Sequence, residues 1–169
     1  HFSRLAAEFA EMVVSLDGDH LAVERNYRIL KKEAVPNILP LFMNFAEPSP
    51  GLGWRGRERK SLQERASPDL VLCLAVFHHL VFTANLLLDD LIQYLAELTP
   101  RVIIEFVKRE DPMIAQLLRH KEDVFWDYTL DHFLEVFRQY FEVVNHLELS
   151  SGTRVLFFGR RLSGSSLRK

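Results

Sequence analysis

The fold is decided by the stretch Asp69-Leu70-Val71-Leu72-Cys73-Leu74-Ala75-Val76-Phe77-His78-His79-Leu80. Its apolar residues run on without the alternation expected of a strand that has one face in water. An uninterrupted run of this kind is typical of a parallel strand covered on both faces. The stretch therefore predicts a buried strand over 69–76, in the middle of a sheet, followed directly by two adjacent histidines.

Helical and extended patterns alternate on both sides of this stretch. Apolar residues recur at helical spacing in some segments, and other segments are short apolar runs that end in turn residues. The helical segments are 2–10, 20–33 and 83–98, and the strands are 12–16, 38–43 and 101–107. This alternation predicts an α/β fold, a mostly parallel sheet with helices on both faces.

The end of the sheet is predicted to be antiparallel. Two further strands, 141–149 and 154–159, are separated only by Ser150-Ser151-Gly152-Thr153, which suits a tight return. A C-terminal hairpin should therefore close the sheet. Residues 1–161 are predicted to form one domain, and the Ser-rich and basic residues 162–169 a flexible tail.

Composition excludes several classes of function. The 169 residues carry 21 Lys and Arg against 23 Asp and Glu, a net charge of −2, so no basic surface is expected to hold nucleic acid. No apolar run approaches the roughly 20 residues of a membrane span, and no secretion signal opens the chain. The single cysteine, Cys73, suits a reducing compartment, and a cytoplasmic location is expected. No metal site is expected, because adjacent histidines point in different directions.

Taken together, these features resemble the class I S-adenosylmethionine-dependent methyltransferases. The resemblance rests on the parallel sheet with its closing hairpin, on the acidic turn Asp17-Gly18-Asp19 after an early strand, and on His78-His79-Leu80, which is similar to a motif that many members carry after their fourth strand. Residues 104–108, 127–129 and 154–158 are similar to a poorly characterised subgroup related to nodulation-type methyltransferases. The family's first strand and glycine-rich loop would precede His1, so the domain is expected to be N-terminally incomplete, with two half-sheets.

The resemblance implies a site for S-adenosylmethionine. The position that binds the ribose hydroxyls in the family matches Asp17, in a turn with Gly18. A plain turn or helix cap also explains these residues, and only the fold context favours ribose binding. The position facing the adenine matches Asn44, with Phe45 placed to stack on the ring. Leu74 and Ala75 match positions that line the methionine part of the cofactor.

The resemblance places His78 and His79 on the acceptor side. One of them is a candidate general base, because an imidazole titrates near working pH, and packing or capping explains the other. Glu105 is a third candidate, since a carboxylate in an otherwise apolar strand needs a partner or a raised pKa. Its alternative role is a salt bridge with Arg101 or Lys108. Trp126 and Tyr128 lie in a polar run and are predicted to form a lid.

The implied activity is methyl transfer to a small-molecule acceptor. A non-catalytic interaction domain on the same fold remains an alternative, because Asn44 replaces the usual acidic residue. A nicotinamide-dependent oxidoreductase is a further alternative. The segment Gly51-Leu52-Gly53-Trp54-Arg55-Gly56 matches the dinucleotide-binding pattern, but it does not join a strand to a helix and is interpreted as a turn. The acceptor and the oligomeric state are not readable from these residues.

Overall fold

The computed structural model describes residues 1–163. Most of the predicted tail, 164–169, lies outside the described residues. The chain divides into two compact units, His1–Leu62 and Gln63–Lys169.

The first unit is a parallel strand pair with two helices. It contains α1 (Phe2–Ala7), β1 (Val13–Asp17), α2 (His20–Lys32) and β2 (Ile38–Phe42). Val13 pairs with Ile38 and Asp17 with Phe42, so the carboxyl ends of both strands lie side by side. Helix α2 begins where it does because the Asp19 side chain caps it, accepting a hydrogen bond from the Leu21 backbone N–H at 2.8 Å.

The second unit holds a four-stranded mixed sheet and most of the helices. Helix α3 (Leu62–Arg65) begins at the boundary, and the remaining elements are β3 (Val71–Cys73), α4 (Phe77–Phe82), α5 (Leu88–Leu98), β4 (Arg101–Val107), α6 (Pro112–Leu118), α7 (Leu130–Tyr140), β5 (Phe141–Glu148) and β6 (Arg154–Arg161). The strand order is β3-β4-β6-β5. Strands β3 and β4 are parallel, whereas β6 runs antiparallel to both β4 and β5.

These pairings confirm the predicted α/β class with its closing antiparallel hairpin. The predicted central strand needs a correction: β3 spans only Val71–Cys73 and lies at the edge of its sheet. The ladder ends early because Ala75 adopts a φ of 53°, in the left-handed region, which turns the chain away from β4. Leu72, which was expected to be covered, is 37% exposed.

The core of the second unit contains a set of packed aromatic rings, its aromatic core, beside many buried aliphatic side chains. Phe133 of α7 contacts four others, with ring centroids 4.8 to 5.8 Å apart, and these are Phe77, Phe106, Phe137 and Phe157. Helix α7 packs so closely on β6 that a Cβ at Gly159 would lie 2.4 Å from Cζ of Phe137. Only a residue without a side chain fits there unless the ring moves.

The structure contradicts one of the two residues of the predicted lid, and the lid role of the other, Trp126, stays a prediction. Trp126 is 83% exposed, whereas Tyr128 is buried and stacks on Phe106 at 4.9 Å. Tyr128 was misassigned because its polar sequence neighbours suggested exposure, although its ring belongs to the aromatic core.

Candidate functional site

The first group of candidate residues lies at the carboxyl ends of β1 and β2. The Asp17 carboxylate is exposed, and its Oδ1 accepts a hydrogen bond from the Asp19 backbone N–H at 2.9 Å. The cap of α2 is the Asp19 side chain, so the helix-cap alternative for Asp17 is wrong, whereas its hydrogen bond from the Asp19 N–H is the one expected of a plain turn. Asp17 thus presents an exposed carboxylate at a strand end, where a polar ligand can reach it.

Asn44 follows β2 and is also held by a local turn. Its Oδ1 accepts from the Ala46 backbone N–H at 3.1 Å, so its amide NH₂ is the group left to donate to a ligand. Phe45 next to it is partly buried. Gly18 has open space around it, since an added Cβ would meet nothing within 4 Å.

A stacked ring pair beside Asp17 was not predicted. The imidazole of His20 lies flat on Phe42, with centroids 3.4 Å apart and an interplanar angle of 11°. Phe42 is the residue paired with Asp17 across the two strands. The sequence offered one signal for this ring pair: His20 and Phe42 lie at the same ends of β1 and β2 as Asp17 and Asn44.

The second group of candidates surrounds the turn after β3. Ala75 is exposed and Leu74 is partly buried. The backbone N–H of Ala75, in its left-handed conformation, donates to Oε2 of Glu105 at 2.9 Å. The structure therefore brings Glu105 of β4 directly against the residue that was predicted to line the methionine part of a cofactor.

Glu105 is buried, and its partner is neither of the two expected. Its Oε1 accepts from Nη1 of Arg154 at 3.0 Å, while Lys108 pairs with Glu148 instead. The sequence did not indicate Arg154, because this pairing depends on strand register. Glu105 lies opposite Leu156, and Arg154 occupies the diagonal position, two residues away along β6. Both carboxylate oxygens of Glu105 are thus engaged.

Arg154 also binds the carboxylate of Asp111. Its Nε donates to Oδ2 of Asp111 at 2.8 Å, and its Nη2 donates to Oδ1 at 3.3 Å. Oδ2 of Asp111 also accepts from the Thr153 hydroxyl at 2.7 Å. The same carboxylate caps α6 by accepting from the Met113 backbone N–H. Hydrogen bonds from Arg154 lower the pKa of Asp111 to about 2, and the pKa of Arg154 is raised in return, first by its hydrogen bond to Asp111.

His78 and His79 open helix α4 and differ in environment. His78 is buried, whereas His79 is partly exposed, and their ring centroids are 4.3 Å apart. Nδ1 of His78 has no hydrogen-bond partner among the described residues. Burial, with smaller contributions from His79 and Arg154, lowers the pKa of His78 to about 4. His78 is therefore neutral near pH 7, and too weak a base to remove a proton efficiently there.

The other sequence signals are accounted for locally. The glycine-rich segment 51–56 forms a turn with a short 3₁₀ helix, Trp54–Gly56, and does not lead from a strand into a helix. Within residues 1–163, no three His, Cys, Asp or Glu side chains cluster as a metal site requires. None of the helices in that range combines the length and apolar character needed to cross a bilayer.

The chain is similar in sequence to a curated nodulation protein. The chain is 34% identical over 157 residues to nodulation protein NoeA of Rhizobium meliloti (strain 1021). The matched region covers 92% of this chain and 33% of NoeA. The chain therefore spans about a third of the length of that curated relative. No protein-family model matches the present chain.

Three solved structures illustrate the likeness in fold. The bifunctional kinase-methyltransferase WbdD superposes with a TM-score of 0.59 and 17% identity, over 94% of this chain and 32% of WbdD. Protein PH0226 from Pyrococcus horikoshii OT3 superposes with a TM-score of 0.61 and 12% identity, over 95% of this chain and 76% of PH0226. The mitomycin 7-O-methyltransferase MmcR gives 0.51 and 16% identity, over 89% of this chain and 42% of MmcR.

Proposed function

We propose that this chain transfers a methyl group from S-adenosylmethionine to a small-molecule acceptor. It shares its fold with solved methyltransferases and is 34% identical to NoeA over 92% of its own length. The observation that carries the proposal is the exposed carboxylate of Asp17 at the end of β1, in a fold that two named methyltransferases share. A carboxylate can accept hydrogen bonds from both hydroxyls of a ribose at once.

The other residues of the first unit suit the rest of a nucleoside. Because Oδ1 of Asn44 is engaged with Ala46, its NH₂ would donate to a ring nitrogen of the adenine. Phe45 supplies an aromatic face, and the open space around Gly18 leaves room for the ligand. The donor and acceptor set of these residues therefore fits S-adenosylmethionine.

In the second unit, Leu74 and Ala75 are the residues proposed for the methionine part. S-adenosylmethionine, when bound, supplies an electrophilic methyl group on a sulfonium. The protein then contributes chiefly by orienting the acceptor and excluding water, so no covalent intermediate on the enzyme is required. A small, exposed side chain such as Ala75 leaves the methyl group accessible.

Among the three candidate bases, His79 is best placed to take a proton from the acceptor. Its ring is partly exposed, whereas His78 is buried and its pKa is lowered to about 4. Glu105 uses one oxygen for Arg154 and the other for the Ala75 N–H. We therefore assign Glu105 to holding the turn, and His78 to packing beside His79.

The test is calorimetric titration of S-adenosylmethionine and S-adenosylhomocysteine into the natural polypeptide that contains this chain. Asp17→Ala is expected to weaken binding of both ligands about 10- to 100-fold, the range for hydrogen bonds to a charged group. Asp19→Asn is the matched control, because it removes a neighbouring carboxylate while Asn still caps α2.

Each outcome has a distinct meaning. Binding that Asp17→Ala weakens and Asp19→Asn preserves supports the cofactor site. If the unsubstituted protein binds neither ligand, the enzyme proposal is wrong and a non-catalytic domain on the same fold is favoured. If both variants bind as the unsubstituted protein does, the assignment of Asp17 is wrong.

A further inference from the structure

A continuous series of charged hydrogen bonds in the second unit runs from the start of α6 to the turn after β3. The Asp111 carboxylate binds Nε and Nη2 of Arg154, Nη1 of Arg154 binds Glu105, and Glu105 accepts from the Ala75 N–H. We call these four residues the relay. Asp111 is 4% and Glu105 is 6% exposed, so both carboxylates are shielded from water, whereas the Arg154 side chain that joins them is 27% exposed.

The relay ends at a backbone conformation that needs support. Ala75 has a φ of 53°, a region that residues with a Cβ adopt only at an energetic cost. Such a conformation persists when neighbouring groups hold it, and here the Glu105 carboxylate accepts the N–H of that same residue at 2.9 Å. The hydrogen bond is charge-assisted and therefore stronger than one to a neutral acceptor.

The shape of Arg154 suits it to connecting the two carboxylates. One planar guanidinium reaches Asp111 through Nε and Nη2 and Glu105 through Nη1. A lysine ammonium is a compact point charge and cannot reproduce this fork. Buried ion pairs of this kind often add little net stability, so a role in fixing one backbone geometry is the stronger interpretation.

We propose that Arg154 is a positioning residue. It holds Glu105 against the Ala75 N–H and so keeps the turn after β3 in its left-handed form. This turn in its left-handed form places Leu74, Ala75 and His79 for cofactor binding and methyl transfer. This inference rests on the proposed function and deepens it. Arg154 acts through Glu105 and is not itself assigned a contact with the cofactor or the acceptor.

The first measurement needs no cofactor. Amide hydrogen exchange at Ala75 is compared in the natural polypeptide, in Arg154→Met and in Arg160→Met. Arg160 is the matched control, because it lies on the same strand and also binds a carboxylate through two nitrogens, that of Glu142, but on the exposed surface. Exchange at Ala75 should rise about 10- to 100-fold in Arg154→Met and stay unchanged in Arg160→Met.

The second measurement separates positioning from simple loss of folded protein. A variant that only unfolds in part has fewer binding-competent molecules, which lowers the stoichiometry of S-adenosylmethionine binding in calorimetry and leaves Kd unchanged. Arg154→Met and Arg154→Lys should instead raise Kd for S-adenosylmethionine about tenfold or more at unchanged stoichiometry. Glu105→Gln, which keeps the shape and loses the charge, provides a second variant and should give a smaller change of the same kind.

The third measurement is a rescue. Glycine adopts positive φ without penalty, so Ala75→Gly reduces the need for the relay. Combined with Arg154→Met, it should recover at least about half of the lost affinity, compared as the logarithm of Kd. The inference is overturned if Arg154→Met matches Arg160→Met in Kd, or if its stoichiometry falls at constant Kd without rescue. If the unsubstituted protein shows no cofactor binding, the proposed function fails, whereas unchanged exchange at Ala75 in Arg154→Met overturns the relay itself.

Discussion

The two units differ sharply in how their strands are supported. In the first unit, Leu30 and Ile38 are the buried apolar side chains among the described residues, and the parallel pair β1-β2 forms its whole sheet. In the second, four strands carry a continuous aromatic core around Phe133. Sheets of two strands are marginally stable by themselves. The candidate cofactor residues Asp17 and Asn44 therefore lie on the more weakly packed unit.

The candidate residues are also held by different kinds of contact in the two units. Asp17 and Asn44 each accept a backbone N–H two residues along the chain. Glu105, in contrast, is held by partners 30 and 49 residues away. The local turns at Asp17 and Asn44 tolerate loosening of the surrounding packing. The long-range contacts of Glu105, in contrast, depend on intact strand register.

The largest expected effect is loss of the aromatic core in the second unit. Phe133→Ala should lower the free energy of unfolding by about 3–5 kcal/mol, because it removes a fully buried ring that contacts four others. Urea unfolding, followed by circular dichroism, measures this loss. Leu30→Ala is the counterpart in the first unit and should cost about 2 kcal/mol, at the low end for such changes. An equal or larger cost for Leu30→Ala would contradict the difference between the units.

Acid should weaken the second unit through His78. Its pKa is lowered to about 4 in the folded protein, against 6.5 when unfolded, so the unfolded chain takes up the proton first as the pH falls. Stability is complete above pH 6.5 and should drop by about 3 kcal/mol as the pH falls to 4.

Urea unfolding repeated between pH 7 and 4 tests this dependence. His78→Leu should flatten the curve across that window. Phe82→Leu, at another fully buried position on the same helix, should lower stability and keep the slope. A slope that survives in His78→Leu would show that another group is responsible.

The smallest expected effect concerns a surface ion pair of the first unit. Arg4 binds Glu33 at 2.5 Å, and both side chains are more than 40% exposed, at 43% and 47%. Arg4→Gln should change the free energy of unfolding by less than about 1 kcal/mol, because exposed pairs are screened by water and salt. The difference should vanish in 1 M sodium chloride. A salt-independent loss above about 2 kcal/mol would mean that this pair is a main support of the unit.

Much of the fold could be predicted from periodicity alone. Elements such as α2 and β2 lie within one residue of their predicted bounds, because amphipathic spacing and turn residues are local signals. The length of β3 could not be predicted, since it depends on the backbone conformation of Ala75. The burial of Tyr128 was not predicted for a related reason: it lies in the loop before α7, and its partner Phe106 lies in β4, which is distant in sequence.

The candidate site divides in the same way. The strand-end positions Asp17 and Asn44 follow from sequence order and from the family resemblance, and their roles stay predictions. Arg154 carried no sequence signal, because its partners Asp111 and Glu105 are 43 and 49 residues distant and become neighbours only through the register of β4 and β6.

The contact between Gly159 and Phe137 constrains how this sequence can diverge. A Cβ at position 159 would lie 2.4 Å from the Phe137 ring, so the two positions cannot vary independently. Relatives that keep a large aromatic residue at 137 should keep glycine at 159, and any that gain a side chain at 159 should carry a smaller residue at 137. This pair thus offers a covariation signature for recognising distant homologues that have lost the resemblance elsewhere.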